Sequence, residues 1–133
     1  MIVQRVPPEL VPQVLPVVRS HIERGLEFTD SCNVDHACAY LVTGAWMLLV
    51  AVVDDKVEGA YVLSFSNTPT DRTALIVSAA GAGLASQNAF DQVKTIAREH
   101  GATQVQVLAR ESAARLYKRV GLTEKATLME IKL

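Results

Sequence analysis

An unbroken apolar run from Trp46 to Val53, WMLLVAVV, constrains this chain more than any other feature. A strand turns alternate side chains to opposite faces, so a strand made only of apolar residues must be covered on both sides. The remaining chain therefore has to supply two covering layers. The uncharged stretch extends back to Ala37, yet Ala37 to Val53 is shorter than the ~20 residues of a membrane-spanning helix. Thr43 and Gly44 also divide it into two differently patterned pieces. It is expected to be a helix end followed by a buried strand, with no membrane span.

The covering layers can be found on either side of that run. Ile2 to Val6 predicts a short strand ended by Pro7-Pro8. A helix follows to about Glu27, with Leu10, Val14, Val17, Val18 and Ile22 at helical spacing. Pro12 and Pro16 are awkward inside a helix, so its regular part is expected only from about Gln13. Thr29-Asp30-Ser31 supplies turn and cap chemistry, and a second helix from about Val34 to Thr43 stops at Gly44. After the apolar strand, Asp54-Asp55-Lys56 makes a tight turn and Val57 to Ser66 returns as a hairpin partner. Asn67 to Asp71 is a loop, and Thr73 to Ala79 the next strand. Gly81-Ala82-Gly83 leads into a helix from about Leu84 to His100, stopped by Gly101. Thr103 to Leu108 is a strand, Glu111 to Val120 a helix, and Leu122 to Leu133 one or two final strands. The expected fold class is α/β: a mixed sheet, antiparallel and then parallel, with helices on both faces. No linker divides the chain, so residues 1–133 are expected to form one domain, with an N-terminal part (1–44) and a core (45–133).

Charge and cysteine content narrow the function classes. A net charge of −1, with no basic tail, gives no footprint for nucleic acid. Two cysteines, Cys32 and Cys38, are too few for a disulfide framework, so a reducing compartment is expected. The first residues, MIVQRVPPELVPQV, lack the pattern of a signal peptide, which points to a cytoplasmic location. Cys32 and His36 are four apart on the second helix, but Cys38 points elsewhere and zinc wants four ligands, so no metal is expected.

The most specific pattern lies near the end. In Arg110 to Leu122, RESAARLYKRVGL, the residues Ala113, Leu116, Tyr117, Lys118, Arg119, Val120 and Gly121 are spaced as in the GNAT N-acetyltransferase superfamily, which this segment resembles. Asp55-Lys56-Val57-Glu58-Gly59 is similar to the turn that opens that family's central hairpin. The similarity covers roughly Trp46 to Leu133. It implies a GNAT-like fold that transfers an acetyl or related acyl group from acetyl-CoA to the amine of a small molecule or protein. Tyr117 is the implied general acid, since a phenol with a pKa near ~10 can reprotonate a departing thiolate. The amphipathic alternative for Tyr117 is a packing residue whose hydroxyl reaches solvent.

The family's phosphate loop is Arg or Gln, two residues, Gly, one residue, then Gly or Ala before a helix. Ser78-Ala79-Ala80-Gly81-Ala82-Gly83 stands there, with Ser78 replacing the Arg or Gln. Val77, Ser78, Gly81, Ala82, Gly83, Leu84, Ala85 and Ser86 are the implied coenzyme-binding residues, joined by Arg110 and Ala113. Backbone N–H groups at such a helix start can hold a pyrophosphate. A small-residue turn that lets helix and strand pack closely is the other account of the same glycines. Glu58, Asp54 and Asp55 are the nearby carboxylates, and none is identified as a general base.

The departures support a second expectation from another class. An altered phosphate loop and Arg110 in place of asparagine resemble small GNAT-like proteins encoded by tailed bacteriophages. That resemblance implies a catalytically inactive virion or internal structural protein, acting through self-association or contacts with other virion proteins. Both expectations stand at this level.

Overall fold

The computed structural model describes residues 1–133 and holds one five-stranded sheet in the order β1-β2-β3-β4-β5. The strands are β1 (Ile2–Arg5), β2 (Met47–Val53), β3 (Lys56–Asn67), β4 (Arg72–Gly81) and β5 (Gln104–Val107). The first three junctions are antiparallel and the last, β4 to β5, is parallel. Four helices accompany them: α1 (Val11–Gly25), α2 (Val34–Thr43), α3 (Gln87–Glu99) and α4 (Glu111–Arg119).

The two layers demanded by the apolar run are both present. Leu48 and Val50 of β2 face a core built with Val18 and Ile22 of α1 and Ala37 and Leu41 of α2. Leu49 and Ala51 face the opposite core, with Phe90 and Val93 of α3 and Val120 after α4. The expected α/β fold class, a mixed sheet with helices on both faces, is the fold observed. Asp54 and Asp55 both take positive φ, 50° and 62°, which gives the β2–β3 hairpin its tight turn.

Prolines shift the start of α1 less than expected. Pro8 to Leu10 form a 3-10 turn, Pro12 sits in the first turn of α1, where its missing N–H is tolerated, and Pro16 lies within the helix. α3 starts at Gln87, three residues later than the pattern suggests, because Ser86 caps it by accepting from the Ala89 N–H at 3.2 Å.

The expectation of final strands is wrong. Leu122 to Leu133 has no helix or strand, and Leu128, Met129, Ile131 and Leu133 are exposed. The segment is tied by polar contacts at its ends: Lys118 Nζ to Glu124 Oε2 at 3.4 Å, and Lys132 Nζ to Asp30 Oδ2 at 3.6 Å. Alternating apolar residues signal a strand only where an edge accepts their backbone, and here β5 ends the sheet without taking this one. No helix of the protein is long and apolar enough to cross a membrane.

Candidate active site

The site begins with an irregularity in β4. Val62 of β3 pairs with Ser78 and Leu63 with Ile76, so Val77 is an extra residue bulged out of the ladder. A bulge bends and twists its strand, and bulges often lie beside active sites. On its other flank β4 pairs with β5 only from Thr73 (with Gln104) to Ile76 (with Val107). Past Ile76 the two strands part, and that flank of β4 has no strand partner.

A cavity of about 110 Å³ occupies the parting. Its walls are Ile76 to Ala79 of β4, Val107 at the end of β5 and Leu108 to Arg110 after it, Ala113 and Tyr117 of α4, Arg24 and Gly25 at the end of α1, and Phe28 beyond it. Gly25 explains how α1 comes so near. A Cβ there would lie 2.0 Å from Ser78 Oγ and 2.9 Å from Ala79 N, so only glycine lets the helix end rest on the strand. The Ser78 hydroxyl completes the junction by donating to the Ile22 carbonyl at 3.1 Å.

Tyr117 reaches this cleft from the opposite face of the sheet. Its ring meets Phe90 edge-on at 6.3 Å between centroids. Burial pushes its phenol above the ordinary value, so it is protonated at neutral pH. No hydrogen bond within the protein engages its hydroxyl, and no fully buried side-chain N or O lacks a partner, so solvent reaches that oxygen. Tyr61 is a second phenol on the same side, fully buried and donating to the Leu84 carbonyl at 2.6 Å. Burial, and then the neighbouring Tyr117, raise its pKa far above the usual phenol range.

The implied coenzyme-binding residues fall into two groups. Val77, Ser78, Arg110 and Ala113 line the cleft with Tyr117. Gly81 to Ser86 form the turn from β4 into α3, where Ala82, Gly83 and Ser86 are exposed and Ala85 half-buried. Leu84 is buried, and its carbonyl is taken by Tyr61. Gly81 has φ 138°, and a Cβ on it would meet Glu58 O and Gly59 Cα of β3 at 2.4 Å. Its local reason is thus close approach of two strands. Gly83, at φ 77°, faces outward, and a Cβ there would meet only the flexible end of Met1. Arg110 stands at the N-cap of α4 without a side-chain capping bond.

No carboxylate or imidazole lines the cleft; its ionisable groups are Arg24, Arg110 and Tyr117. Glu58 is exposed on β3, at a second bulge where Ala51 pairs with Gly59 and Val52 with Val57. Asp54 and Asp55 are exposed turn residues. His36 closes a capping box with Asn33, its Nδ1 accepting from the Asn33 N–H at 3.2 Å. Cys38 Sγ accepts from Arg19 at 3.6 Å, and no three His, Cys, Asp or Glu residues gather as a metal site. Sequence reasoning missed the α1 wall, although a glycine closing an amphipathic helix and a following Phe28 were its available signals.

No protein-family model matches the sequence, and no curated protein matches it. Solved structures do match in fold. An aminoglycoside acetyltransferase from an uncultured soil metagenomic sample, solved in complex with sisomicin, is 14% identical with a TM-score of 0.73; the match covers 99% of this chain and 94% of that one. Ribosomal-protein-alanine N-acetyltransferase from Brucella melitensis biovar Abortus 2308 is 13% identical with a TM-score of 0.71, covering 100% of both chains. A predicted acetyltransferase from Clostridium acetobutylicum, solved with acetyl-CoA, is 12% identical with a TM-score of 0.68, covering 98% of this chain and 95% of that one. The fold is that of the GNAT acetyltransferases.

Proposed function

We propose that this protein is a GNAT-type N-acyltransferase that moves an acetyl or related acyl group from coenzyme A to an amine. The observation that carries the proposal is the parting of β4 from β5 after Ile76, with the free phenol of Tyr117 in the opening. The unpaired flank of β4 offers backbone N–H and C=O groups to an extended thioester arm, as a sheet edge offers them to a strand. Donors fixed in this way can also hold a thioester oxygen as negative charge develops on it. The exposed turn at Ala82 and Gly83, leading into the N-terminus of α3, suits a pyrophosphate. Arg110 adds a cation at the mouth of the cleft. The neighbouring acetyltransferase solved with acetyl-CoA supports the choice of donor.

The amine nitrogen attacks the thioester carbonyl, the carbon–sulfur bond breaks, and Tyr117 gives its proton to the departing sulfur. The amine's own proton leaves to water, since no side chain in the cleft accepts it, and water returns a proton to the Tyr117 phenolate. The products are an amide and free coenzyme A. Calorimetric titration with acetyl-CoA tests the reading directly: binding with one-to-one stoichiometry is expected, and its absence would remove the enzyme.

A second reading keeps a specific observation in its favour. The exposed apolar residues Leu128, Met129, Ile131 and Leu133, together with the lack of a base in the cleft, suit a catalytically inactive GNAT-fold protein that acts through contacts, as in a virion. It predicts no acetyl-CoA binding in the same titration.

A further inference from the structure

A larger cavity, about 310 Å³, lies at the other end of the sheet and shares no lining residue with the cleft. It opens where β1 ends, β2 begins, β3 ends and β4 begins. Its floor is apolar, with Leu41 and Leu48 buried beneath it, and Trp46 and Phe65 stand in its walls. Trp46 is itself held by stacking on Tyr40, at 4.6 Å between ring centroids.

The charged lining has one sign, that of the arginines. Arg5, Arg72 and His100 face the cavity, and no Asp or Glu does, in a chain whose net charge is −1. Neither arginine belongs to an ion pair. Arg72 is nevertheless fixed: Nε donates to the His100 carbonyl at 3.0 Å, Nη1 to Asn67 Oδ1 at 3.2 Å, and the guanidinium lies 4.9 Å over the Phe65 ring. The His100 Nδ1–H donates to the Ile96 carbonyl at 2.9 Å, which fixes the ring and leaves Nε2 free. A guanidinium held in place loses little freedom when it binds an anion, and a charge-assisted hydrogen bond is among the stronger polar contacts. Pockets of about 300 Å³ or more, apolar with a few placed polar groups, are of ligand-binding size.

We propose that this cavity binds a small amphiphilic carboxylate, its aromatic or aliphatic body against Trp46 and Phe65 and its anion between Arg5 and Arg72. The site is independent of the acyltransferase reading, and so is its test.

Trp46 is the only tryptophan and lines this cavity, so its fluorescence reports changes at its wall. The full chain is titrated with phenylacetate and octanoate, with phenylacetamide as the uncharged control. A saturable change in emission is expected with at least one carboxylate, and roughly tenfold or weaker binding of the amide. Arg5 and Ala45 are exposed, so Arg5→Gln and Ala45→Phe should retain the far-UV circular dichroism of the parent. Arg5→Gln should weaken the carboxylate about tenfold, the size of one lost charged hydrogen bond, and Ala45→Phe should abolish the response by filling the cavity. Three results would each overturn the proposal: no saturable change with either carboxylate, equal affinity for phenylacetate and its amide, or unchanged binding in folded Ala45→Phe.

Discussion

The two flanks of β4 meet neighbours of different length. Toward β3 the ladder runs from Asn67 with Arg72 to Gly59 with Gly81, the whole strand. Toward β5 it stops after Ile76. The closed flank needs small residues where the strands crowd, and Gly59 faces Gly81 there. That same ladder is interrupted by the bulge at Val77, which bends β4 where its other flank opens, and the open flank admits a helix end through Gly25. One strand thus serves both as a wall of the core and as an open edge, and changes to its two flanks should have separable consequences.

The largest effect is expected on the open flank. Tyr117→Phe should lower kcat roughly 100- to 10,000-fold, the usual size of a general-acid contribution, in steady-state assays with acetyl-CoA. The melting temperature should barely move, because the lost hydroxyl has no partner within the protein. A variant that keeps full activity would leave Tyr117 as a packing residue and sever the open flank from catalysis.

On the closed flank the effect should be on stability. Gly81→Val puts side-chain atoms into Glu58 and Gly59 at a φ that valine avoids, and should cost roughly 2–4 kcal/mol in urea unfolding. Gly83→Val, two residues on, meets only Met1 and should unfold more easily by about 1–2 kcal/mol while weakening acetyl-CoA binding by calorimetry. Equal losses of stability in the two variants would mean that the two glycines serve the same packing role.

Tyr61 carries an effect of about the size expected at Gly83, and a pH dependence with it. Tyr61→Phe leaves the buried Leu84 carbonyl without its donor and should cost about 1–3 kcal/mol at neutral pH. The folded pKa of this phenol is raised above its ordinary value of 10.0, so its contribution is fully present below that pH. Above it the unfolded chain sheds the proton while the folded one keeps it, and stability falls as pH rises toward the folded value. Replacing Tyr61 should therefore flatten the alkaline loss of stability seen by circular dichroism melts between about pH 9 and 11. Tyr117 and the Cys32 thiol, both also raised by burial, contribute to the alkaline loss that is left.

Much of this was legible in the chain. The run from Trp46 to Val53 demanded two covering layers, the Asp54-Asp55 turn demanded a hairpin, and Gly44 closed its helix where local chemistry said it would. Such features depend on periodicity and on backbone preferences of a few adjacent residues, which a sequence carries in full. Leu128, Ile131 and Leu133 were also read as strand residues, yet no strand formed, because pairing requires distant residues to bring the segment against a sheet edge. Gly81 and Gly83 looked alike in sequence and were separated only by φ and by what stands opposite each. The cleft itself joins Gly25, Val77, Arg110 and Tyr117, residues far apart in the chain, and the bulge that opens it is a register shift between two strands. The amino-acid sequence by itself determined the layers, the hairpin and the residues available for chemistry. Which of those residues share a cavity was decided only by tertiary packing, since register and close approach depend on both partners at once.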